Sequence, residues 1–540
     1  MEKSVGENVT DQRGDDASRT HVAMVVSNDI TNDARVKKEA LTVARLGLRV
    51  TLLGMTTGTR RLVTRMGDVD VVRIPVRSSS KAAALERRAR RRRLALVGWP
   101  SPDARAAAEA RLRYAELDIK ARSGEAAFRR AKDDDNGVRQ LADLVGRRLA
   151  LAGLRGRRHV LRGREWLDGQ HRVVWQRWDR RWGEHTVGAR WQRILPEQVD
   201  RELSFGPVLD RLAPDVIHAH DADMTGVAAL AVGRARLRGR DARWIYDAHE
   251  FVVGLSPSLA RSRRVIAAWA DYESQHIRSA DQVVTVSPQM AAALEQRYGL
   301  PATPAVVLNT PVTDPPDPTR PTVREVIGLR PRIPLLVYSG IMTPARGVET
   351  AIAAVRELSD VHLALVCVPH ARTYYVRQLR ASVTSQGLDD RVHFLDPVPP
   401  GQVVEFLSSA DVGIFSGLRY PSHDVTLANK LFEYLYAGLP LVVSDLRAQA
   451  DLVNEHRIGR VFPVGDEHGM ARAVREVVDD IDAYMRAVAD PQLLATYSWT
   501  EQEETIRSVY EALLGRPLPW ADGGAVDPLV RSLEESTVSP

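Results

Sequence analysis

The chain has 540 residues, 44% hydrophobic and 27% charged, an ordinary soluble composition with material for roughly two to four buried cores. No apolar stretch approaches the ~18 residues of a membrane-spanning helix, and Met1–Arg19 is polar, without the apolar run of a secretory signal. The single cysteine, Cys367, excludes an intrachain disulfide and a cysteine-built zinc site, and the net charge is only +6. The expected compartment is the cytoplasm.

In chain order, the first buried strand is the continuous apolar run His21–Ser27, closed by Asn28-Asp29. Val36, Ala40, Val43 and Ala44 then fall at helical spacing within 33–46, and Gly47 stops that helix. Val50–Leu53 and Val69–Ile74 are the next strands, which together suggest a doubly wound parallel sheet. Strands resume at Asp215–Ala219, Trp244–Asp247 and Gln282–Val286. A second β/α series follows the Pro-rich stretch Pro311–Pro321. Its strands are Leu335–Ser339, Leu363–Val368, Val392–Leu395, Val412–Phe415 and Leu441–Ser444. Its helices are Val348–Leu358, Tyr375–Ser385, Gln402–Ser408 and Asn429–Ala437.

The expected division is a tail over 1–19, a first Rossmann-like domain over 20–310, a linker over 311–332 and a second Rossmann-like domain over 333–495. A closing helix over 496–516 and a disordered tail over 517–540 complete it. Two such sheets joined by one linker place the ligand cleft at the carboxyl ends of their strands. Residues 78–200 interrupt the first domain as an Ala/Arg-rich helical insertion. Between Lys81 and Asp200 lie 29 basic and 16 acidic residues, a net of +13 against −7 for the rest of the chain. Trp175, Trp178 and Trp182 form a stripe at i, i+3, i+7 beside Arg177, Arg180 and Arg181. That pattern suits an anionic membrane surface, or rings packed on the protein's own body. Nucleic acid is disfavoured, because no recognition module is visible.

The strongest local signal runs from Asp424 to Asp445, in which Asn429-Lys-Leu-Phe-Glu-Tyr-Leu-Tyr-Ala-Gly-Leu-Pro440 opens a helix after a loop and breaks before a strand. The free N–H groups of such a helix start favour an anion such as a diphosphate. Glu433, one turn in, is placed to accept two ribose hydroxyls. This string resembles the retaining glycosyltransferases of family 4, built from two Rossmann-like domains in the GT-B arrangement. Similar landmarks are Ser27–Glu39, Asp215-Val-Ile-His-Ala-His-Asp221, Tyr246-Asp-Ala-His-Glu250, Val284–Pro288, Val307–Asn309, Tyr338–Glu349 and Tyr497-Ser-Trp499. The resemblance covers roughly 21–75 and 203–515.

The resemblance implies α/β domains of two doubly wound sheets facing a cleft, and transfer of a sugar from a UDP- or GDP-linked donor with retention of configuration. It implies no metal and no cofactor. The implied acceptor is a cell-envelope glycan or a lipid-linked saccharide, reached from the cytoplasm or as a peripheral protein on the inner membrane face. Donor residues implied are Gly340, Arg346, the backbone of Thr426, Leu427, Ala428 and Asn429, Lys430, Glu433, and the turn Phe394–Val398 near the base. His220, Arg346 and Glu433 are the implied catalytic set, with His220 beside the transferred sugar. Asn32, Arg35, His249 and Glu250 are expected on the acceptor side, Arg35 facing an anionic head group.

Three departures stand out. The first of the family's two glutamates falls at Val425, so His423 or Asp424 is the candidate stand-in. A companion cation is replaced by Ile341, and Arg346 stands where lysine is usual. The Asn28–Arg35 loop lacks the double glycine of many relatives. Bland readings remain beside these. One of His218 and His220 is then a satisfied core histidine, Arg346 a surface arginine, and Asp33 an N-cap. The rival functions are a sugar-nucleotide epimerase of the same fold and a non-catalytic glycosyltransferase-like partner subunit.

Overall fold

Residues 19–84, 86, 108–121, 145–146, 148–163, 166, 191–258 and 261–521 are described by a computed structural model. The chain divides into two units: Met1–Arg77 with Arg201–Ser258 and Trp269–Pro540, and Ser78–Asp200 with Leu259–Ala268.

The first unit contains two sheets. Strands β1 (His21–Val25), β2 (Arg49–Thr56), β3 (Leu62–Met66), β4 (Val69–Pro75), β5 (Val216–His220), β6 (Arg243–Ala248), β7 (Gln282–Thr285) and β8 (Ala305–Val306) form the first, in the order β3-β4-β2-β1-β5-β6-β7-β8. All its pairs are parallel except the β3–β4 hairpin. Strands β9 (Leu335–Ile341), β10 (His362–Val368), β11 (Val392–Leu395), β12 (Val412–Phe415), β13 (Leu441–Ser444) and β14 (Gly459–Phe462) form the second, all parallel, in the order β11-β10-β9-β12-β13-β14. Two doubly wound sheets were expected, and two are present. β1 and β12 are buried along their whole length, as runs covered on both faces require.

Helices coat both faces of the first sheet. On one side lie α1 (Ala34–Arg45), through Val36, Ala40 and Val43, and a closing helix Trp499–Leu514, through Trp499, Ile506, Val509 and Tyr510. On the other lie α2 (Thr225–Leu237) and α3 (Pro288–Tyr298). The closing helix is locked to α1 by Glu503, which accepts from Arg45 at 2.8 Å and from Thr42 Oγ1 at 2.9 Å. Within the expected linker, Val323–Val326 forms a short helix with a Thr322/Glu325 capping box, and Val323 enters the core of the second sheet. In the second unit, helical residues 108–121 and 148–163 are joined by the Arg158–Glu116 ion pair. Trp166 is exposed and Trp191 buried. Trp175, Trp178, Trp182 and the tails 1–18 and 522–540 lie outside the described residues. No helix among the described residues is long and apolar enough to cross a membrane.

In each sheet the strand order reverses at one place, β1/β5 in the first and β9/β12 in the second. Loops leaving such neighbours diverge to opposite faces and open a crevice at their carboxyl ends. The backbone is strained there. Ile30 after β1 has φ 69° and Asp221 after β5 has φ 64°, positive values uncommon for any residue but glycine and rarest for a β-branched one such as Ile30.

Candidate functional site

At the second switch point, β9 ends at Gly340-Ile341 and a tight turn carries Arg346 into Gly347 (φ 62°), which caps α4 (Val348–Glu357). A Cβ on Gly347 would lie 2.0 Å from the Ser416 carbonyl oxygen, so only glycine allows the loops after β9 and β12 to meet. Leu418 N–H donates to Ala345 O at 2.9 Å and Ser416 Oγ to Arg346 O at 3.3 Å, which closes that seam. The guanidinium of Arg346 has no hydrogen bond or ion pair among the described residues.

Helix α5 (Asn429–Tyr436) starts after the apolar cap Ala428, which offers no side-chain acceptor to its first N–H groups. Lys430, 9% exposed, folds back over the Tyr338 ring at 3.7 Å from its centroid. Glu433 follows one turn later. Burial pushes its carboxyl up, while Lys430 and, from α1, Lys38 pull it down. Neither Lys430 nor Glu433 has a side-chain hydrogen bond or ion pair among the described residues. Phe394 and Val398 are half-buried at the carboxyl end of β11, with Arg380 over the Phe394 ring at 4.5 Å.

The stand-ins for the missing glutamate are otherwise engaged. Asp424 Oδ1 accepts from Arg419 at 2.7 Å, and His423 Nδ1 lies 2.7 Å from Leu418 O. Val425 itself packs against the core of the first sheet, and its carbonyl accepts from Ser287 Oγ. Val425 is half-buried, so a carboxylate at 425 would face apolar neighbours of that core. Thr426 O accepts from Gln449 at 2.8 Å, and its hydroxyl faces Met290 Sδ at 3.9 Å. Leu427 is buried and Asn429 exposed.

At the first switch point the expected roles need correction. Arg35 is 4% exposed, and each of its three side-chain nitrogens donates inside the protein. Its Nε and Nη2 grip Asp247 at 3.0 and 2.8 Å, Nη1 donates to Val307 O at 2.7 Å, and Glu39 lies 2.9 Å from Nε. It has no face left for an acceptor. His220, expected beside the sugar, is completely buried. The reason is strand periodicity: His218 and His220 share one face of β5, rings stacked 4.4 Å apart, and α1 and the closing helix cover that face. His218 Nδ1 lies 3.0 Å from Tyr510 OH, and His220 Nδ1 3.1 Å from Asp247 Oδ2. His249, with its side chain 17% exposed, lies nearer the surface between Asp247 (2.6 Å) and Asp221 (3.1 Å). Burial alone would lower its pKa, but the two carboxylates hold it well above the ordinary histidine value. Asn32 and Glu250 are exposed.

Glu39, His218, His220 and Asp247 offer ligand atoms all within 4.8 Å of one another. Arg35 already brings a cation to both carboxylates of this group, and a divalent ion there would meet the guanidinium at close range.

Lys38 was not foreseen. Its ammonium donates to Asn309 Oδ1 at 3.1 Å and to Thr310 O, and sits 4.1 Å above the Trp499 ring. Burial, then Arg35, lowers its pKa to about 7. The one available signal was compositional: the chain has 7 lysines among 75 basic residues, and Lys37, Lys38 and Lys430 fall on helices at the two switch points. Because the unfolded Lys38 keeps its proton to about pH 10.4 while the folded one loses it near 7, stability rises with pH across that window. Lys38→Met should therefore be more stable than the parent at pH 7. Its advantage should shrink by about 2 kcal/mol at pH 9. Urea titrations at both pH values check this; a pH-independent gap would show Lys38 charged throughout.

Residues 333–480 match the family described as "Glycosyl transferases group 1", and residues 158–314 match "Glycosyltransferase Family 4". The chain thus carries regions that match two glycosyltransferase families, consistent with a family-4-like glycosyltransferase. It is 24% identical over 317 residues to a glycogen synthase of Mycobacterium tuberculosis, covering 55% of this chain and 69% of that one. It is 26% identical over 322 residues to a D-inositol 3-phosphate glycosyltransferase of Acidothermus cellulolyticus, covering 56% and 67%. Among solved structures, sucrose-phosphate synthase from Thermosynechococcus elongatus superposes with a TM-score of 0.59 at 14% identity, covering 92% of this chain and 100% of that one. The catalytic domain of starch synthase IV from Arabidopsis thaliana gives 0.53 at 14% identity, covering 92% and 100%. These likenesses show the GT-B fold of this glycosyltransferase.

Proposed function

We propose that this glycosyltransferase moves a sugar from a UDP- or GDP-linked donor to a hydroxyl of a cell-envelope saccharide or lipid-linked acceptor, with retention and without a metal. The observation that carries the donor reading is a pair of opposite charges without protein partners, Arg346 and Glu433, flanking the start of α5 at the second switch point. A folded protein rarely leaves such groups unpaired unless a ligand completes them. Glu433 takes the ribose hydroxyls. Arg346 and the N–H groups of α5 take the diphosphate. Asn32, His249 and Glu250 line the acceptor side. In the proposed step the sugar–phosphate bond breaks, the acceptor oxygen bonds to the same face of the sugar carbon, and its proton passes to the leaving phosphate. The acceptors in the relatives' names, glycogen and an inositol phosphate, are both rich in hydroxyls.

The expected result for Glu433→Gln is a folded protein that binds UDP or GDP more weakly by ~1.5–3 kcal/mol, since a charge-assisted pair is replaced by a neutral one. Isothermal calorimetry checks it. Unchanged affinity removes Glu433 from the donor site.

A further inference from the structure

The chain passes from the first sheet to the second and back, and both crossings meet at one lysine. On the way out, Val307 belongs to the core of the first sheet and Leu308 to that of the second. On the return, Tyr497 packs on the second core and Trp499 enters the first. Leu308 N–H donates to Gln502 Oε1 at 2.8 Å, which ties the outward crossing to the returning helix. Lys38 reaches both from α1. Its ammonium donates to Asn309 Oδ1 at 3.1 Å and to Thr310 O on one crossing, and stands 4.1 Å from the Trp499 ring centroid on the other.

This junction is poorly satisfied for so buried a place. Lys38 is 3% exposed and has no ion-pair partner among the described residues. The Thr310 hydroxyl and the Trp499 indole N–H are buried beside it, and neither has a hydrogen-bond partner among the described residues. Buried charges are ordinarily paired and buried polar groups ordinarily bonded, so three exceptions at one place make the arrangement costly. A small parting of the two crossings would let water reach all three together.

The charge on Lys38 decides between the two arrangements. Burial, then repulsion from Arg35, lowers its pKa to about 7, while Glu39, Glu433 of α5 and Asp33 act the other way. On the closing helix, Glu503 is engaged by Arg45 and Thr42, and the outward crossing contributes the neutral Asn309 and Thr310. A wetted lysine titrates near the ordinary value of about 10.4. The parted arrangement therefore binds the proton more tightly, and raising the pH from 7 to 9 should favour the buried one by up to about fiftyfold.

We propose that Lys38 is a charge-sensitive catch on the hinge between the two sheets: carrying its proton it parts the crossings, and without it they close over the neutral amine. The catch does not depend on the reading of the donor site. If that reading holds, donor and acceptor residues lie on different sheets, and the same lysine sets how they face each other.

The test uses the full-length protein with dyes on Leu237→Cys, at the exposed end of α2 beside the first sheet, and Met485→Cys, on the helix Ile481–Val488 beside the second. The one native cysteine, Cys367, is buried in β10. Single-molecule energy transfer should resolve two populations in the parent at pH 7, with the ratio moving toward one of them at pH 9. Lys38→Met should show that pH 9 population at both pH values. Lys38→Arg, charged throughout, should keep a pH 7-like mixture at both. Thr310→Val removes an unbonded hydroxyl with little change of shape, so it should favour the buried arrangement severalfold at pH 7 and leave the pH shift intact. A parent with a single population that does not move between pH 7 and 9 would overturn the proposal. So would a pH shift that survives undiminished in Lys38→Met, since another group would then be the one that titrates.

Discussion

Arg346→Ala is expected to lower turnover by ~10²–10³ while weakening donor binding far less, because a preorganised cation acts most strongly where charge develops. The leaving diphosphate gains negative charge as the sugar departs, and a group that holds it in the ground state holds it more tightly in the transition state. The backbone at Arg346 is built for that. A three-residue turn, Pro344–Arg346, is fixed by Gly347 and stitched to the β12 loop through Ala345 O and Arg346 O. The guanidinium therefore starts from a rigid base and has no competing carboxylate among the described residues. Arg346→Lys should keep much of the rate, since it preserves charge but loses the two-point fork. Steady-state kinetics with a saturating acceptor check this. Normal turnover with only a raised KM would make Arg346 a binding residue and nothing more.

The parallel strands were legible because they are covered on both faces and appear as unbroken apolar runs such as Val22–Val26 and Val412–Phe415. The elements that escaped do not have that signature. β3 is exposed at four of its five positions and pairs only at the sheet edge, β8 is two residues long, and β14 is broken by Arg460. That Gly340, Arg346, Lys430 and Glu433 fall at one switch point was legible because they lie within one local motif or beside a turn glycine. Arg35 and His220 were not, because the spacing of a strand or helix shows which residues share a face but not what covers it. The cover over the stacked His218–His220 pair comes from Glu39 and, at His218, from Tyr510, the latter 292 positions further along the chain. Val425 is a similar case. In the sequence it is a lost carboxylate, whereas in the fold it is an apolar contact with the first sheet, beside a close approach at Gly254, where a Cβ would meet Ser422 N at 2.4 Å.

Arg35→Met is expected to cost ~3–5 kcal/mol of stability, the usual penalty for stranding a buried charge. Arg35 is the counter-ion for two carboxylates at once, Asp247 at 2.8 Å and Glu39 at 2.9 Å, with side-chain exposures of 0% and 1%. Burial by itself would raise the Asp247 pKa. Arg35 and His249, with hydrogen bonds from His220 and His249, instead hold it well below the carboxylate range. Glu39 behaves oppositely: burial and the neighbouring Asp247 charge push it up, and Arg35 offsets this only in part. Removing the guanidinium thus leaves Asp247 ionised with less compensation, while Glu39 is free to take a proton. The remaining damage is geometric, because Arg35 also binds Val307 O and so ties α1 to β6 and the end of β8. His249 leans on the same Asp247, so its position should loosen together with the fold. Replacing both partners distinguishes a stranded charge from lost packing. Arg35→Met with Asp247→Leu should be less destabilised than Arg35→Met alone, a coupling of ~1–3 kcal/mol, because no unpaired carboxylate remains at that pair. Urea unfolding of the parent, both single variants and the double variant supplies the cycle. Additive losses would show that Arg35 and Asp247 stabilise the fold independently and that the pair is not the unit that ties α1 to β6.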